Sequence, residues 1–245
     1  MSDASPTTPM DPRSGGRNHP NSHEASSAPI RMGFFEPLGD WLAERRAGAR
    51  HDRILDFGCG DLLLAVLLDG TWIVDGYDES PTARAAARES QTRLRAPGTV
   101  HDRLADVPTV HVRAVVVNSL FQYIPGPDAA RDLFATVGSL LAPDATIGIV
   151  VTDAVSEGAN RAIDLIDVVS YNLSRCGVRD ALVGTVKGIR SGRPSTRHRI
   201  PQAELERAAA EVGLHLERLP TSLTRFRRRA TYVLRHAAPD GERSA

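Results

Sequence analysis

Residues 53–80 read RILDFGCGDLLLAVLLDGTWIVDGYDES, the most informative segment of the chain. A short apolar run meets Asp56, and a glycine turn at residues 58–60 leads into an apolar helical segment. A second apolar run then ends at Asp78. Glycines in a sharp strand-to-helix turn let backbone N–H groups approach a ligand closely. An acid about 20 residues further on, at the end of the next strand, is placed to accept hydrogen bonds from two ribose hydroxyls. The layout predicts a nucleoside-cofactor site.

The spacing of the glycines separates two families of nucleoside-cofactor proteins. The dinucleotide fingerprint G-x-G-x-x-G requires a third glycine where Leu63 stands. The order D-F-G-C-G at residues 56–60 instead resembles motif I of the class I S-adenosylmethionine-dependent methyltransferases, D/E-x-G-x-G-x-G, with Leu62 in place of the last glycine. The GYDES segment resembles the second motif of that family, whose acid binds the adenosine ribose. The resemblance implies S-adenosylmethionine as cofactor, and we expect Leu62 to point along the first helical turn into the core.

The composition is that of one α/β domain with a tail and an insertion. The chain has 245 residues, 41% of them hydrophobic, and its 30 basic and 30 acidic residues balance. No global field therefore favours nucleic acid or an anionic membrane. Two cysteines are too few for a disulfide framework, and the N-terminus has no apolar signal region. These features predict a cytoplasmic protein, and the excess of arginine over lysine predicts a bacterial source with a high GC content.

Composition along the chain divides it into five segments. The N-terminal tail is rich in Ser, Pro and Gly, and it cannot bury enough apolar surface to become ordered. The spacing of Leu38, Trp41 and Leu42 then predicts a short amphipathic helix, with order beginning near Met32. The predicted segments are a disordered tail (1–29), a cofactor-binding core (30–153), a cap or substrate insertion (154–199), a helix and hairpin that complete the core (200–236), and a second disordered tail (237–245).

Alternating strand and helix patterns predict the architecture. The fold class is α/β, a Rossmann-like doubly wound and mostly parallel seven-stranded sheet with helices on both faces and an antiparallel C-terminal hairpin. Strands are predicted at 53–57, 72–77, 98–101, 113–119, 145–152, 214–220 and 228–236. Helices are predicted at 62–69, 80–95, 127–141, 160–175 and 201–213. The methyltransferase resemblance covers roughly residues 32–236.

Ligands of open α/β sheets bind outside the carboxyl ends of the strands, so the candidate site residues follow the strands. The segment NSLFQYI at 118–124 resembles the fourth motif of small-molecule methyltransferases, which faces the methionine part of the cofactor. An acid after the third strand contacts the adenine amine in similar enzymes, and Asp102 takes that place with Asp106 as the alternative. The resemblance implies cofactor-binding roles for Asp56, Gly58, Cys59, Gly60, Asp78, Glu79, Asp102, Asn118, Ser119 and Leu120.

Methyl transfer depends chiefly on an in-line approach of the acceptor, and a general base helps when the acceptor is a hydroxyl or a protonated amine. The candidate catalytic bases are His198 and Asp153, with His101 as a third. Two arginines flank His198 and should keep it neutral, as a base requires. Expected substrate-binding residues are Gln122, Tyr123, Tyr171 and Asn172.

The sequence therefore predicts an S-adenosylmethionine-dependent methyltransferase of a small-molecule acceptor, an O- or N-methylating enzyme of bacterial natural product biosynthesis. Its arginine clusters lack the interleaved aromatic residues that stack bases, and no cluster has metal-ligand spacing. We expect no nucleic-acid, membrane or metal partner, and a homodimer is left open. Two alternatives remain, a catalytically inactive methyltransferase-like binding protein and a Rossmann-type NAD(P) oxidoreductase.

Overall fold

A computed structural model describes residues 28–45, 52–118, 120–155, 170, 200–225 and 229–237. The helices within these ranges are α1 (Ala28–Glu44), α2 (Leu63–Leu67), α3 (Pro81–Gln91), α4 (Pro127–Gly138) and α5 (Gln202–Glu211). The strands are β1 (Arg53–Phe57), β2 (Ile73–Tyr77), β3 (Val100–His101), β4 (Val112–Asn118), β5 (Gly148–Val155), β6 (Leu214–Arg218) and β7 (Arg229–His236). Short 3-10 helices lie at Leu104–Asp106, Thr109–His111 and Phe121–Tyr123.

The strands form one seven-stranded sheet in the order β3-β2-β1-β4-β5-β7-β6. The pairs from β3 to β5 are parallel, whereas β7 is antiparallel to both β5 and β6. The predicted fold class is confirmed. The strand order reverses between β1 and β4, and this is the switch point at which open α/β sheets bind ligands.

Helices cover both faces of the sheet. One face packs against α4 and α5 through Phe134 and Leu205, and the other packs against α1, α2 and α3 through Leu38, Leu64 and Ala87. The central strand β4 is buried along nearly its whole length, as its continuous apolar run predicts for a strand enclosed on both faces.

The predicted amphipathic helix before β1 is confirmed as α1, which begins at Ala28 rather than near Met32. Leu38 and Leu42 are fully buried. The indole Nε1 of Trp72 donates to the Leu42 carbonyl at 2.9 Å, and the Arg225 N–H donates to the Gly33 carbonyl at 2.8 Å. These bonds fasten α1 to the start of β2 and to the loop after β6. Within the described residues, no helix has the length and apolar character that crossing a membrane requires.

Every strand except β1 differs from its predicted bounds by one to three residues, and two of these differences affect candidate site residues. β3 is limited to Val100–His101. Immediately before it, the Thr99 N–H donates to Oδ1 of Asp75 at 2.7 Å rather than to a main-chain carbonyl of β2. β5 extends to Val155 instead of ending near Thr152. Asp153 therefore lies inside the strand, where the β5–β7 register shifts between Val151 and Ala154, and the expectation that it ends the strand is wrong. The predicted helix at 160–175 falls outside the described residues, apart from residue 170.

Candidate functional site

The glycine turn follows β1 and is folded against the end of β2. Gly58 and Gly60 have φ angles of 78° and 55°, in the left-handed region that favours glycine. The N–H groups of Gly58 and Cys59 both donate to the Tyr77 carbonyl, at 2.8 and 3.0 Å. The turn is therefore held by the main chain of β2, next to the acid that follows that strand.

Asp78 joins the two predicted motifs. Its Oδ2 accepts a hydrogen bond from the Gly60 N–H at 3.1 Å, and its Oδ1 accepts one from the Ser80 N–H at 2.9 Å. An ionised carboxylate has about four acceptor positions on its two oxygens. Each oxygen of Asp78 can therefore still accept from a ribose hydroxyl while the backbone donors fix its orientation.

Asp56 is the most perturbed acid of the turn. Its side chain is 1% exposed, and within the described part of the chain its Oδ2 has no hydrogen-bond partner. Burial, reinforced by the carboxylates of Asp61 and Asp78, raises the pKa of Asp56 to about 7. A nearby cation would offset both causes, because it favours the charged form of the acid.

Two side chains of the turn point into the core. Leu62 is fully buried, as expected, but its φ and ψ of 64° and 37° place it in the left-handed region immediately before α2. The expectation that it continues the first helical turn is wrong. Cys59 is buried as well, and burial together with Asp56 and Asp78 raises the pKa of its thiol well above the ordinary range. The thiol therefore stays protonated and does not act as a nucleophile.

The segment after β4 covers the turn. A Cβ on Gly58 would lie 3.5 Å from Cδ2 of Leu120, so Leu120 lies directly over this glycine. Asn118 is buried, and its Oδ1 accepts a hydrogen bond from the Thr152 hydroxyl on β5. Tyr123 is 56% exposed at the end of the following 3-10 helix, to which Gln122 also belongs. Ser119 lies outside the described residues.

Two predicted residues at the end of β3, His101 and Asp102, lie against other protein side chains. Oδ1 of Asp102 accepts hydrogen bonds from Arg88 at 2.7 Å and Arg84 at 3.0 Å, and the bond from Arg88 is the main cause that lowers the pKa of Asp102. Asp106 is exposed. His101 is enclosed, with its Nε2 3.7 Å from Oδ2 of the buried Asp75. This burial argues against His101 as the base.

Three of the remaining predicted residues belong to the insertion. These three residues, Tyr171, Asn172 and His198, lie outside the described residues. For Asp153, on β5, only the main chain is described. Among the residues that are described, no group of three or more His, Cys, Asp or Glu could hold a metal ion.

Sequence reasoning missed two residues that shape the site. Gly76 of β2 faces Leu62 and Cys59, and a Cβ there would lie 2.7 Å from Cδ1 of Leu62. A glycine inside a strand pattern is a signal for such close approach. Arg84 of α3 donates to the carbonyls of Asp78 and Glu79, and no sequence signal distinguishes it from Arg88, the other arginine of that helix.

Solved structures of methyltransferases share this architecture. No protein-family profile and no curated protein sequence matches the chain. The magnesium protoporphyrin IX methyltransferase of Synechocystis PCC 6803 with bound SAH superposes with a TM-score of 0.55 at 14% identity, over 92% of each chain. The CcbJ methyltransferase of Streptomyces caelestis gives 0.51 at 17% identity, over 84% of this chain and 90% of that one.

An O-methyltransferase from neocarzinostatin biosynthesis, in complex with S-adenosylmethionine and 2-hydroxy-5-methyl naphthoic acid, gives a TM-score of 0.53 at 15% identity, over 88% of this chain and 59% of that one. At these identities the likeness establishes the fold. The strand order, the antiparallel C-terminal hairpin and these superpositions agree: the chain has the fold of the class I S-adenosylmethionine-dependent methyltransferases.

Proposed function

We propose that this protein is an S-adenosylmethionine-dependent methyltransferase of a small-molecule acceptor. The observation that carries the proposal is the acidic lining of the glycine turn. Asp56, Asp61 and Asp78 lie close enough to one another for the last two to raise the pKa of the first. Such a lining attracts a cationic ligand and repels an anionic one.

The same turn is poorly suited to the pyrophosphate of a dinucleotide. Pyrophosphate is bound by free N–H groups at the N-terminus of a helix. Here the N–H groups of Gly58 and Cys59 donate to the Tyr77 carbonyl, and that of Gly60 donates to the Asp78 carboxylate. The helix that follows, α2, has only five residues. These features argue against the NAD(P) oxidoreductase.

The residues present fit S-adenosylmethionine. Asp56 and Asp61 would hold its positive charge, and Asp78 would accept hydrogen bonds from the ribose hydroxyls. When bound, the cofactor supplies a methyl carbon attached to a sulfonium. The acceptor would take that methyl group through a lone pair, and the sulfonium would leave as a neutral thioether.

The chain's own contribution to this reaction is orientation and removal of the acceptor's proton. Orientation alone can lower the barrier by about 7–11 kcal/mol. Asn118 and Gln122 are uncharged amides, so they position groups and transfer no proton. We assign the proton of a hydroxyl or amine acceptor to His198 or Asp153, and contacts with the acceptor to Tyr123, Tyr171 and Asn172.

The place of the enzyme in metabolism is part of the proposal. Proteins of similar fold include methyltransferases whose names identify small-molecule biosynthesis, such as that of neocarzinostatin. The arginine-rich composition supports a bacterial source. With only two cysteines, the sequence supports a location in the cytoplasm. A natural-product intermediate is therefore the acceptor class that we propose.

Isothermal titration calorimetry tests the proposal. S-adenosylmethionine and S-adenosylhomocysteine should bind the full chain, and NADH should not. Asp78→Ala should weaken S-adenosylhomocysteine binding at least tenfold, because each charge-assisted hydrogen bond contributes about 1.5–3 kcal/mol. The matched control is Asp128→Ala, which removes an exposed acid of α4 and should leave the dissociation constant unchanged.

The possible failures have different meanings. Binding of NADH in place of the methyl donor would support the oxidoreductase. Unchanged affinity in Asp78→Ala would remove this acid from the site. Cofactor binding without transfer to any small-molecule acceptor would support the inactive binding protein.

A further inference from the structure

Arg84, on α3, connects the loop after β2 with the loop after β3. Its Nη1 donates to the carbonyl oxygens of Asp78 at 2.6 Å and Glu79 at 3.0 Å, and its Nε donates to Oδ1 of Asp102 at 3.0 Å. Only 16% of the side chain is exposed. The planar guanidinium holds several donors in a fixed fork, so one side chain fixes both loops at once.

Arg84 contacts the main chain of Asp78, whereas the backbone donors described above contact its side chain. The Asp78 carboxylate is oriented by the Gly60 and Ser80 N–H groups, whereas Arg84 holds its main-chain carbonyl. Asp78 is thus constrained at both its side chain and its main chain. Since Asp78 is the acid of the nucleoside site, a shift of its main chain would displace the carboxylate with it.

We propose that Arg84 is a positioning residue for the nucleoside end of the cofactor site, acting through Asp78. The inference rests on the proposed function, because it concerns the same site. Arg84 itself bonds to protein oxygens, and it fixes the geometry that the ribose hydroxyls meet. Its loss should therefore weaken every ligand that carries the adenosine group, whether or not the ligand has the amino-acid end.

The chain provides a matched control on the next turn of the same helix. Arg88 also bonds to Oδ1 of Asp102, at 2.7 Å, and to the Val100 carbonyl at 3.3 Å. Unlike Arg84, Arg88 makes no hydrogen bond to Asp78 or Glu79. Arg88→Met removes an arginine from the same ion-paired cluster and leaves the bonds between Arg84 and Asp78 in place.

The test measures dissociation constants of S-adenosylhomocysteine and methylthioadenosine by calorimetry. We expect Arg84→Met to weaken both ligands by about tenfold, the ratio that corresponds to about 1.4 kcal/mol, and Arg88→Met to change them by less than threefold. Arg84→Lys should be intermediate, since an ammonium is a point donor that cannot reproduce the fork. It also serves as the folded variant if Arg84→Met does not fold.

A double-mutant cycle separates positioning from a general structural role. If Arg84 acts through Asp78, Arg84→Lys should cause no further loss of affinity in the Asp78→Ala background. Additive losses would overturn the inference, as would unchanged affinity in both Arg84 variants. Failure of the wild-type chain to bind S-adenosylhomocysteine would instead overturn the proposed function, and this inference with it.

Discussion

Leu62 and Gly76 are complementary in size across the interface between the glycine turn and β2. A Cβ on Gly76 would lie 2.7 Å from Cδ1 of Leu62 and 3.0 Å from Sγ of Cys59. Leu62 is fully buried, so its side chain cannot turn out into solvent. The larger residue in the turn therefore depends on the smallest residue in the strand.

Gly76→Ala should destabilise the protein by about 1–3 kcal/mol, the usual cost of overpacking a core. Leu62→Ala should cost about 2.7–5 kcal/mol through the cavity that it leaves. The double variant should be more stable than the sum of the two losses predicts, with a coupling of about 0.5–3 kcal/mol, because the added methyl group enters space that the leucine vacates. Urea unfolding of the four proteins measures the cycle.

Gly39→Ala is the matched control for the glycine substitution. A Cβ on Gly39 would lie 3.6 Å from Cβ of Leu67, which is an ordinary van der Waals contact, so this change within α1 should not destabilise the protein. Additive effects of Leu62→Ala and Gly76→Ala would contradict the size complementarity.

The backbone conformation of Leu62 gives a second prediction, which concerns the relative stability of two variants. A left-handed conformation costs an L-residue about 1–2 kcal/mol, and glycine escapes this cost. Leu62→Gly and Leu62→Ala leave cavities that differ by one methyl group, so the glycine variant should be the more stable of the two by about 1 kcal/mol. Differential scanning calorimetry of both variants tests this order.

Leu64 is the control, because it is equally buried but lies inside α2. There alanine should be preferred over glycine by about 0.8–1.0 kcal/mol through helix propensity. If the alanine variant were the more stable one at position 62 as well as at position 64, the left-handed conformation of Leu62 would store no strain.

The sequence predicted the sheet and the glycine turn because both depend on local patterns. Alternating apolar segments fixed the strand and helix order, and the glycines with Asp56 and Asp78 located the turn and the acid beside it. Leu62 was placed in the helix because a non-glycine residue seldom adopts a left-handed conformation. Its true conformation depends on the space beside Gly76, which is a tertiary feature.

Asp153 and Arg84 were beyond sequence reasoning for related causes. The end of β5 is set by its pairing with β7, which lies about 80 residues further along the chain. The arginines of α3 have the spacing of a solvated face, and only the folded loops after β2 and β3 distinguish Arg84 from Arg88.

The pairing of Thr152 with Asn118 gives a prediction about the reaction. The Thr152 hydroxyl donates to Oδ1 of Asn118, which fixes the direction of the amide beside the turn. Thr152→Val should lower kcat about tenfold while changing S-adenosylhomocysteine affinity little, since misplacement of a positioning group affects the transition state more than binding. Thr152→Ser keeps the hydroxyl and should retain most of the activity. Equal activity of the two variants would exclude this role.

The insertion supplies a prediction that follows from the sequence alone. Deleting residues 188–196 should abolish methyl transfer and leave S-adenosylhomocysteine affinity within a few fold, because the acidic turn lies elsewhere in the chain. His198→Ala should slow transfer to a hydroxyl acceptor by about a hundredfold if His198 is the base. Full activity of His198→Ala would assign that role to Asp153 or to no residue. Retained transfer in the deletion variant would move the acceptor site toward α1, near Phe34 and Trp41.

The raised pKa of Asp56 predicts how the stability of the ligand-free protein changes with pH. The folded state binds the proton of Asp56 up to a pKa of about 7, whereas the unfolded state releases it near 3.8. Between these values the native state binds more protons, so stability falls as the pH rises. The stabilising effect of the raised pKa is fully present below pH 3.8 and is lost as the pH rises through about 7.

Asp56→Asn removes this titration and leaves the other groups in place, so it isolates the contribution of one carboxyl. Relative to the wild type, the variant should gain about 2–3 kcal/mol of unfolding free energy between pH 5 and pH 8. Asp128→Asn, at an exposed position of α4, should show no such gain. Urea unfolding at both pH values gives the comparison. A difference between wild type and Asp56→Asn that does not change with pH would mean that Asp56 is already ionised at pH 5.

A cationic cofactor should reverse the penalty on the ionised acid, because it stabilises the charged form of Asp56. S-adenosylmethionine should therefore bind more tightly to the wild type at pH 8 than at pH 6, and binding at pH 6 should release a proton. Calorimetry in two buffers of different ionisation enthalpy measures that proton. Asp56→Asn should lose both the proton release and the pH dependence. If the wild type bound the cofactor without releasing a proton at pH 6, Asp56 would not be the group that holds its charge.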